Sequence, residues 1–429
     1  MALSFIEAIK HGLENNAQVL KQKRRIAALE RKIREDELEK DWQWEAGLEG
    51  RIMSNNTRST SRKELAALEG EKEFGKGLKI KPELALKEKE LLKNGLNQDS
   101  LEFSIGIEQP LYPIITGEEE KSLELKLSAA KAELKQLQGE LLLSYLKDYL
   151  KLRELKLADN ISQTEYELAE RFFAENKTDL SEKELLEARI EINEAQQDVE
   201  EIKNDYQKLM RTFKDELDLA EDIEVSITKE CDLAWLRKLE ERLPGLDNSR
   251  QLLIQAKANS QELLINQLEE EELQQERRAE AKENSPQIDL EADYELADNK
   301  WQVALNLTHK LFNESAEKLA REELAAELKV IKAEEEEHKR ELAEELDDLV
   351  GEITVNQLKV KEEKLRLEEA VLELEEVGIE KEEGRINELA YQEEKLNLKE
   401  KKLDLQKKKD KLLLSKYELI KLLGGLKII

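Results

Sequence analysis

The chain has 429 residues, of which 39% are charged and only 4% aromatic, with five prolines among them. That make-up favours long helices buried along seams over a compact layered domain with one central core. A net charge of −29 excludes ordinary nucleic-acid binding, because nothing neutralises the phosphates. Cys231 is the single cysteine, which rules out an intrachain disulfide and a thiolate metal cluster. No apolar run approaches the roughly 18–20 residues of a membrane-crossing helix.

In chain order, MALSFIEAIKHGLENN reads as an amphipathic helix, with Ser4 as N-cap and Glu7 as its capping-box partner. It lacks the basic segment and apolar block of a signal peptide, so the sequence is either that of a cytosolic protein or of a mature form with Met1 added. The helix is predicted to run to about Asp41 through Ile6, Ile9, Leu13, Leu20, Ile26 and Leu29. Trp42, Trp44, Ala46 and Leu48 then alternate with polar residues and glycine, which predicts a strand over 41–53. Residues 54–99 open with the loop-like SNNTRSTSR, and Leu78, Ile80, Leu84 and Leu86 fit either a further strand or a short helix. LEFSIGIEQPLY, Leu101 to Tyr112, alternates cleanly and predicts a strand over 100–109. Gln109 and Pro110 are expected to end its ladder, because proline has no N–H to donate.

From about 118 to 177, Leu123, Leu127, Ala130, Leu134, Leu137 and Leu141 recur at coiled-coil spacing. A turn follows at Thr178, and Ser181 caps a returning helix to about 215, completing a helical hairpin over 118–215. Residues 217–245 are irregular and end at Pro244-Gly245. A helix over 247–282 leads to strands at 286–297 and 301–309, joined by a short hairpin connection. A second helical hairpin, 313–424, turns at Gly384 and Asn387.

The order is a duplication. Asn16-Ala17-Gln18 matches Asn259-Ser260-Gln261 at an offset of 243, and Leu111-Tyr112 matches Leu311-Phe312 at an offset of 200. The drop places the surplus between the first half's strands, where 54–99 reads as a loop excursion. The expected organisation is a first repeat over 1–216, an irregular connection over 217–245 and a second repeat over 246–429, with four clear strands per chain.

The last helix carries Leu389, Leu396 and Leu403 on one side and Leu398, Leu405, Leu412 and Leu419 on the other. The helix before it does the same with Leu358, Leu365 and Leu372 against Ile353, Val360, Leu367 and Leu374. Opposed apolar stripes suit the wall of a helical cylinder; the alternative is a solid bundle. Strands of about ten residues with one apolar and one polar face suit a membrane barrel, with Trp42, Trp44 and Trp301 as interfacial aromatics. Four strands cannot close a pore alone, so several chains must contribute. The alternative is a small soluble sheet capping a coiled coil.

With these elements in place the chain resembles the TolC family of outer-membrane factors. The marks are Leu3-Ser4, Glu7-Ala8 and Leu13-Glu14-Asn15-Asn16 at the start, Gln109-Pro110-Leu111-Tyr112 at the first strand-to-helix junction and Phe312 at the second. Leu185-Leu186-Glu187-Ala188, Glu383-Gly384-Arg385-Ile386 and Leu422-Leu423-Gly424 complete them. The resemblance implies a mainly α fold with a small β part. As a homotrimer it would form a 12-stranded outer-membrane β-barrel, in contact with membrane lipid, continued by a 12-helix periplasmic tunnel. It implies a passive exit duct of a tripartite efflux pump or type I secretion system, opened by a periplasmic adaptor and an inner-membrane transporter, with the signal peptide already removed. Of the family's two constriction acids one is retained, at Glu393, while Ala390 occupies the other position. Glu393 would form a threefold carboxylate ring favouring cations. Glu184 and Glu187 are the first repeat's counterparts. The family's Arg–Tyr latch is replaced by Ile386 and Lys381, and a Lys381–Glu184 contact is the expected substitute.

Enzyme chemistry is not indicated. His11, His309 and His338 lack partners at metal-ligand spacing, Gly75-Lys76-Gly77 lacks P-loop spacing, and no nucleophile grouping stands out. No cofactor or metal is expected. The competing reading is a soluble coiled-coil scaffold or a periplasmic adaptor. An adaptor would carry one helical hairpin between β-rich halves, and this chain has two hairpins and too few strands.

Overall fold

A computed structural model describes residues 2–48, 64–74, 77–87, 101–113, 118–178, 180–227, 246, 248–283, 285–296, 299–308 and 314–424. The chain divides into two compact units. One comprises residues 1–23, 132–264 and 336–429, and the other 24–131 and 265–335.

The first unit holds most of the helical mass. A short strand β1 (Ala2–Leu3) pairs in parallel with β6 (Glu224–Val225), which ties the irregular connection to the N-terminus. Helix α1 (Phe5–Asn15) starts with the expected capping box, in which the Ser4 N–H donates to Glu7 Oε2 at 2.9 Å. The single helix expected up to Asp41 is in fact two. Asn16 interrupts it and caps α2 (Ala17–Glu39), its side chain accepting from the Gln18 N–H at 2.9 Å. A later helix pair is broken in the same way. There Ser260 separates α5 (Ser249–Asn259) from α6 (Gln261–Glu283) and accepts from the Leu263 N–H at 3.3 Å.

Four long helices follow the predicted spans closely: α3 (Glu118–Asn176), α4 (Glu182–Glu216), α7 (Glu314–Glu382) and α8 (Glu388–Leu422). Within the first unit α8 has neighbours on two sides. Arg153 of α3 pairs with Asp410 of α8, and Lys407 of α8 reaches Glu154 at 3.8 Å. On its other side, Asn356 of α7 donates to Ser415 Oγ at 3.1 Å in a fully buried contact. Both apolar stripes expected on α8 are therefore covered, Leu389 and Leu403 as well as Leu398, Leu405 and Leu419. In α7 only one is: Ile353 and Val360 are buried, whereas Leu358, Leu365 and Leu372 are 60%, 66% and 61% exposed. One core gathers α1, α3 and the end of α4, with Phe5 stacked on Tyr149 at 3.9 Å between ring centres. Gly12 is required there, because a Cβ would lie 3.2 Å from Leu217 Cα and 3.3 Å from Tyr145. A second core joins Leu252, Ala256 and Leu263 to Leu346, Ile353 and Leu419.

Among the described residues the second unit contains a six-stranded antiparallel sheet, and the expectation of four strands is corrected. Its order is β2 (Gln43–Leu48), β3 (Glu64–Phe74), β4 (Leu78–Lys87), β5 (Leu101–Tyr112), β7 (Gln287–Glu295) and β8 (Lys300–Thr308). Within the expected loop excursion lies a hairpin, β3–β4, inserted between β2 and β5. Of the two alternatives offered for Leu78 to Leu86, the strand is the one that forms, although a proline such as Pro82 is uncommon within a central strand. The β3–β4 ladder lapses between Glu69↔Glu83 and Lys72↔Ile80, where Pro82 has no N–H to donate.

Gln109-Pro110 does not end β5 either. Pro110 pairs with Asp289 and, after a bulge, Tyr112 pairs with Ile288. The ladder to β4 extends only to Glu108, so Pro110 sits on a local edge where its lost donor costs little.

Candidate functional site

Strand alternation assigns every sheet residue to one of two faces, and the ladders join those faces across all six strands. On one, Ala46 pairs with Leu68, Leu68 with Leu84 and Leu84 with Phe103. Further along the strands, Ile80, Ile107, Ala292 and Val303 form another apolar row. This face is open: Trp301, Leu305 and Leu307 are 65–75% exposed. A water-soluble sheet would bury such a surface, and a continuous open one marks contact with an apolar phase or partner. The one cation on it, among the described residues, is Lys72. Its ammonium lies over Trp42 and Phe74 and ends on Asp41 at 3.0 Å, a long side chain carrying its charge to the polar margin.

The opposite face is acidic. One row runs Glu45, Glu69, Glu83, Ser104, Glu295 and Lys300 across the whole sheet. The face is concave around Glu71, Glu83, Glu108 and Asp293. Lys79 pairs with Glu71 at 3.0 Å, and Lys81 with Glu108 at 2.6 Å, tying β4 to the strands on both sides. Gly106 lets this face close, because a Cβ there would approach Asp293 Oδ1 to 3.1 Å.

The helix turns carry the other expected residues. Thr178 lies at the end of α3, and Ser181 caps α4. Glu184 is the capping-box carboxylate: it accepts from the Ser181 N–H at 2.8 Å, and its own N–H donates to Ser181 Oγ at 3.4 Å. Hydrogen bonding to its carboxylate from the Ser181 side chain, and then from the Ser181 N–H, holds that carboxyl below the usual carboxylate range. Glu187 pairs with Lys183 one turn back at 3.2 Å. In the second turn Gly384 has φ +73°. The Arg385 N–H reaches Glu380 O at 2.8 Å and the Gly384 N–H reaches Lys381 O at 3.0 Å, the paired bonds of a Schellman stop that glycine alone enters without strain. Asn387 caps α8 by accepting from the Ala390 N–H at 2.9 Å.

The expected Lys381–Glu184 contact does not form within the chain. Lys381 instead bonds Glu388 at 2.5 Å and lies 4.3 Å from the Tyr391 ring centre, bracing its own turn. That bond and one from Gln392 lower the Glu388 carboxyl below its ordinary range. Glu393 stands exposed on α8. Phe312 lies outside the described residues, while Gln109 donates to Pro110 O at 2.9 Å. The acidic face was not singled out from the sequence, although its residues are the polar partners of the recognised alternation.

No family model matches the chain, and no curated protein does. Solved structures do. CusC, a protein that forms a transmembrane channel, matches at 12% identity and TM-score 0.63, over 98% of this chain and 91% of that one. VceC from Vibrio cholerae matches at 12% and 0.59, over 98% and 96%. The CmeC outer-membrane channel of Campylobacter jejuni matches at 11% and 0.61, over 98% and 85%. No helix among the described residues is long and apolar enough to cross a membrane. The chain has the fold of the TolC-type outer-membrane efflux channels.

Proposed function

We propose that this chain is a TolC-family outer-membrane factor, three copies of which make the exit duct of a tripartite efflux pump or type I secretion system. The observation that carries the reading is the sheet with an open apolar face and a concave acidic one. Such a sheet needs lipid on one side and water on the other, the condition of a strand in the wall of a membrane pore. The uncovered leucine stripe of α7 supports the trimer, since α8 has both of its stripes covered inside the chain and α7 has one. The fold shared with outer-membrane efflux channels supports the same assignment. A soluble scaffold has no occupant for the apolar face.

In this reading the sheet lies in the outer membrane, the long helices form a periplasmic tunnel, and an adaptor with an inner-membrane transporter opens the tunnel's far end. The duct itself is passive. Its acidic lining favours cations, and Glu393 adds a carboxylate ring near the α7–α8 turn. Glu184 and Glu187 lie at the corresponding level of the first repeat, already engaged by Ser181 and Lys183. The test is reconstitution of purified protein into planar bilayers. Trimer-dependent, cation-selective conductance is expected. Protein that inserts without conducting, or conducts as a monomer, refutes the duct.

A further inference from the structure

We infer that the β3–β4 hairpin belongs to the barrel wall, so that three copies close edge to edge, β8 of one on β2 of the next, into an 18-stranded barrel. The inference rests on the trimeric duct reading and departs from the 12 strands expected for it.

The hairpin is built into the sheet. Six pairs join β2 to β3 and eight join β4 to β5, with no direct β2–β5 pairing among the described residues. Its side chains are fitted to both neighbours. The Trp44 ring of β2 lies over Gly70 of β3, where a Cβ would come within 2.8 Å of it, so an aromatic covers the bare glycine and pins the register. On the acidic face Lys81 fastens β4 to Glu108 of β5 at 2.6 Å. The hairpin also continues both faces, giving Leu68 and Leu84 to the apolar one and Glu69 and Glu83 to the acidic one. A flap folded away from the sheet would have no reason to match either.

The outer strands are suited to joining. All neighbours are antiparallel and the strands number six, so β8 of one copy and β2 of another run in opposite directions, as barrel closure requires. Soluble proteins blunt an edge strand with proline, bulges or inward-facing charges. From Trp301 to Thr308, β8 has none of these, and Trp301, Val303, Leu305 and Leu307 are each more than half exposed. A second copy of this chain supplies the complementary strand. Barrel diameter grows roughly linearly with strand number, so the lumen would be about half again as wide as that of a 12-stranded barrel.

Paired cysteines test the closure in the full-length protein with Cys231→Ser. Ala46→Cys or Trp44→Cys in β2 is combined with Val303→Cys or Leu305→Cys in β8, all on the apolar face. Interchain disulfides giving a covalent trimer are expected from at least one combination. In a second protein, Ala46→Cys and Phe103→Cys stand three strand spacings apart, about 14 Å, too far to bridge if the hairpin lies between them. An intrachain link in that protein shows β2 directly on β5 and overturns the inference. So do conducting trimers that form no β8–β2 link in any combination, an outcome that leaves the duct itself standing. Protein that neither trimerises nor conducts removes the duct reading and this inference with it.

Discussion

Replacing Leu358, Leu365 and Leu372 together with alanine should dissociate the trimer while leaving the folded chain intact. Each of these residues keeps about three-fifths of its surface open in the single chain. Full burial of a leucine is worth about 1.5–3 kcal/mol, so the open share accounts for about 1–2 kcal/mol apiece and about 4 kcal/mol per subunit interface. That is a weakening of about a thousandfold at each contact. The assay is mass photometry in detergent across a dilution series, with circular dichroism and thermal melting on the same samples. Trimers of the variant should fall apart at concentrations where the parent stays assembled, with unchanged helical signal. Ile353→Ala, on the buried stripe of the same helix, should do the reverse: it lowers the melting temperature through a core cavity, at about 2–5 kcal/mol. If the triple variant stays trimeric at every dilution, the stripe is not the subunit contact. If it loses helix instead, the leucines belong to the chain's own core.

Gly12→Ala should destabilise the chain by about 1–3 kcal/mol through overpacking against Leu217 and Tyr145, read as a lower melting temperature. Arg153→Met removes the cation beside Asp410, whose carboxyl burial already raises despite that cation, and should cost about 3–5 kcal/mol in chemical denaturation. Adding Asp410→Leu to Arg153→Met should recover most of the loss, and no recovery would show that the pair is not the cause. Asp148 and Glu216 are both raised by burial, Glu216 further by its neighbour's charge. The folded state thus holds their protons more tightly than the unfolded state. Their contribution is full below the ordinary carboxylate range and is lost as pH rises through their raised folded values. Asp148→Asn should therefore flatten the fall in melting temperature over that window, and an unchanged profile would show that the pair does not titrate there.

The long helices were legible because each signal was local and redundant. Ser181 with Glu184, and Gly384 with Asn387, set their ends, while leucine spacing set their faces. Asn16 was harder to read as a break, since a residue inside a helical pattern becomes a cap only when the chain changes direction there. The inserted hairpin failed for a different reason. In β3 the apolar face is Ala66, Leu68, Gly70, Lys72 and Phe74, which hardly alternates, and β4 contains Pro82. Gly70 reads as a strand residue only once Trp44 is seen to cover it. Lys72 reads as apolar-face only once its ammonium is traced to Asp41.

At the turns, spacing paired Glu184 with Ser181 but did not reveal that Lys381 bonds Glu388. Both bonds are between residues close in sequence, Glu184 to Ser181 within one turn and Lys381 to Glu388 across the link from α7 to α8, and such partners are nearer to hand than a contact between the two hairpins.

The sequence by itself determined the long helices and their caps, and the two-faced character of most strands, since all of these follow from residue periodicity along the chain. Only the tertiary structure decided how many strands the sheet has, that Pro110 stays in its ladder, and which apolar stripe of α7 remains open. Each of those depends on what lies beside a strand or helix, and pairing between segments far apart in sequence leaves no period to read.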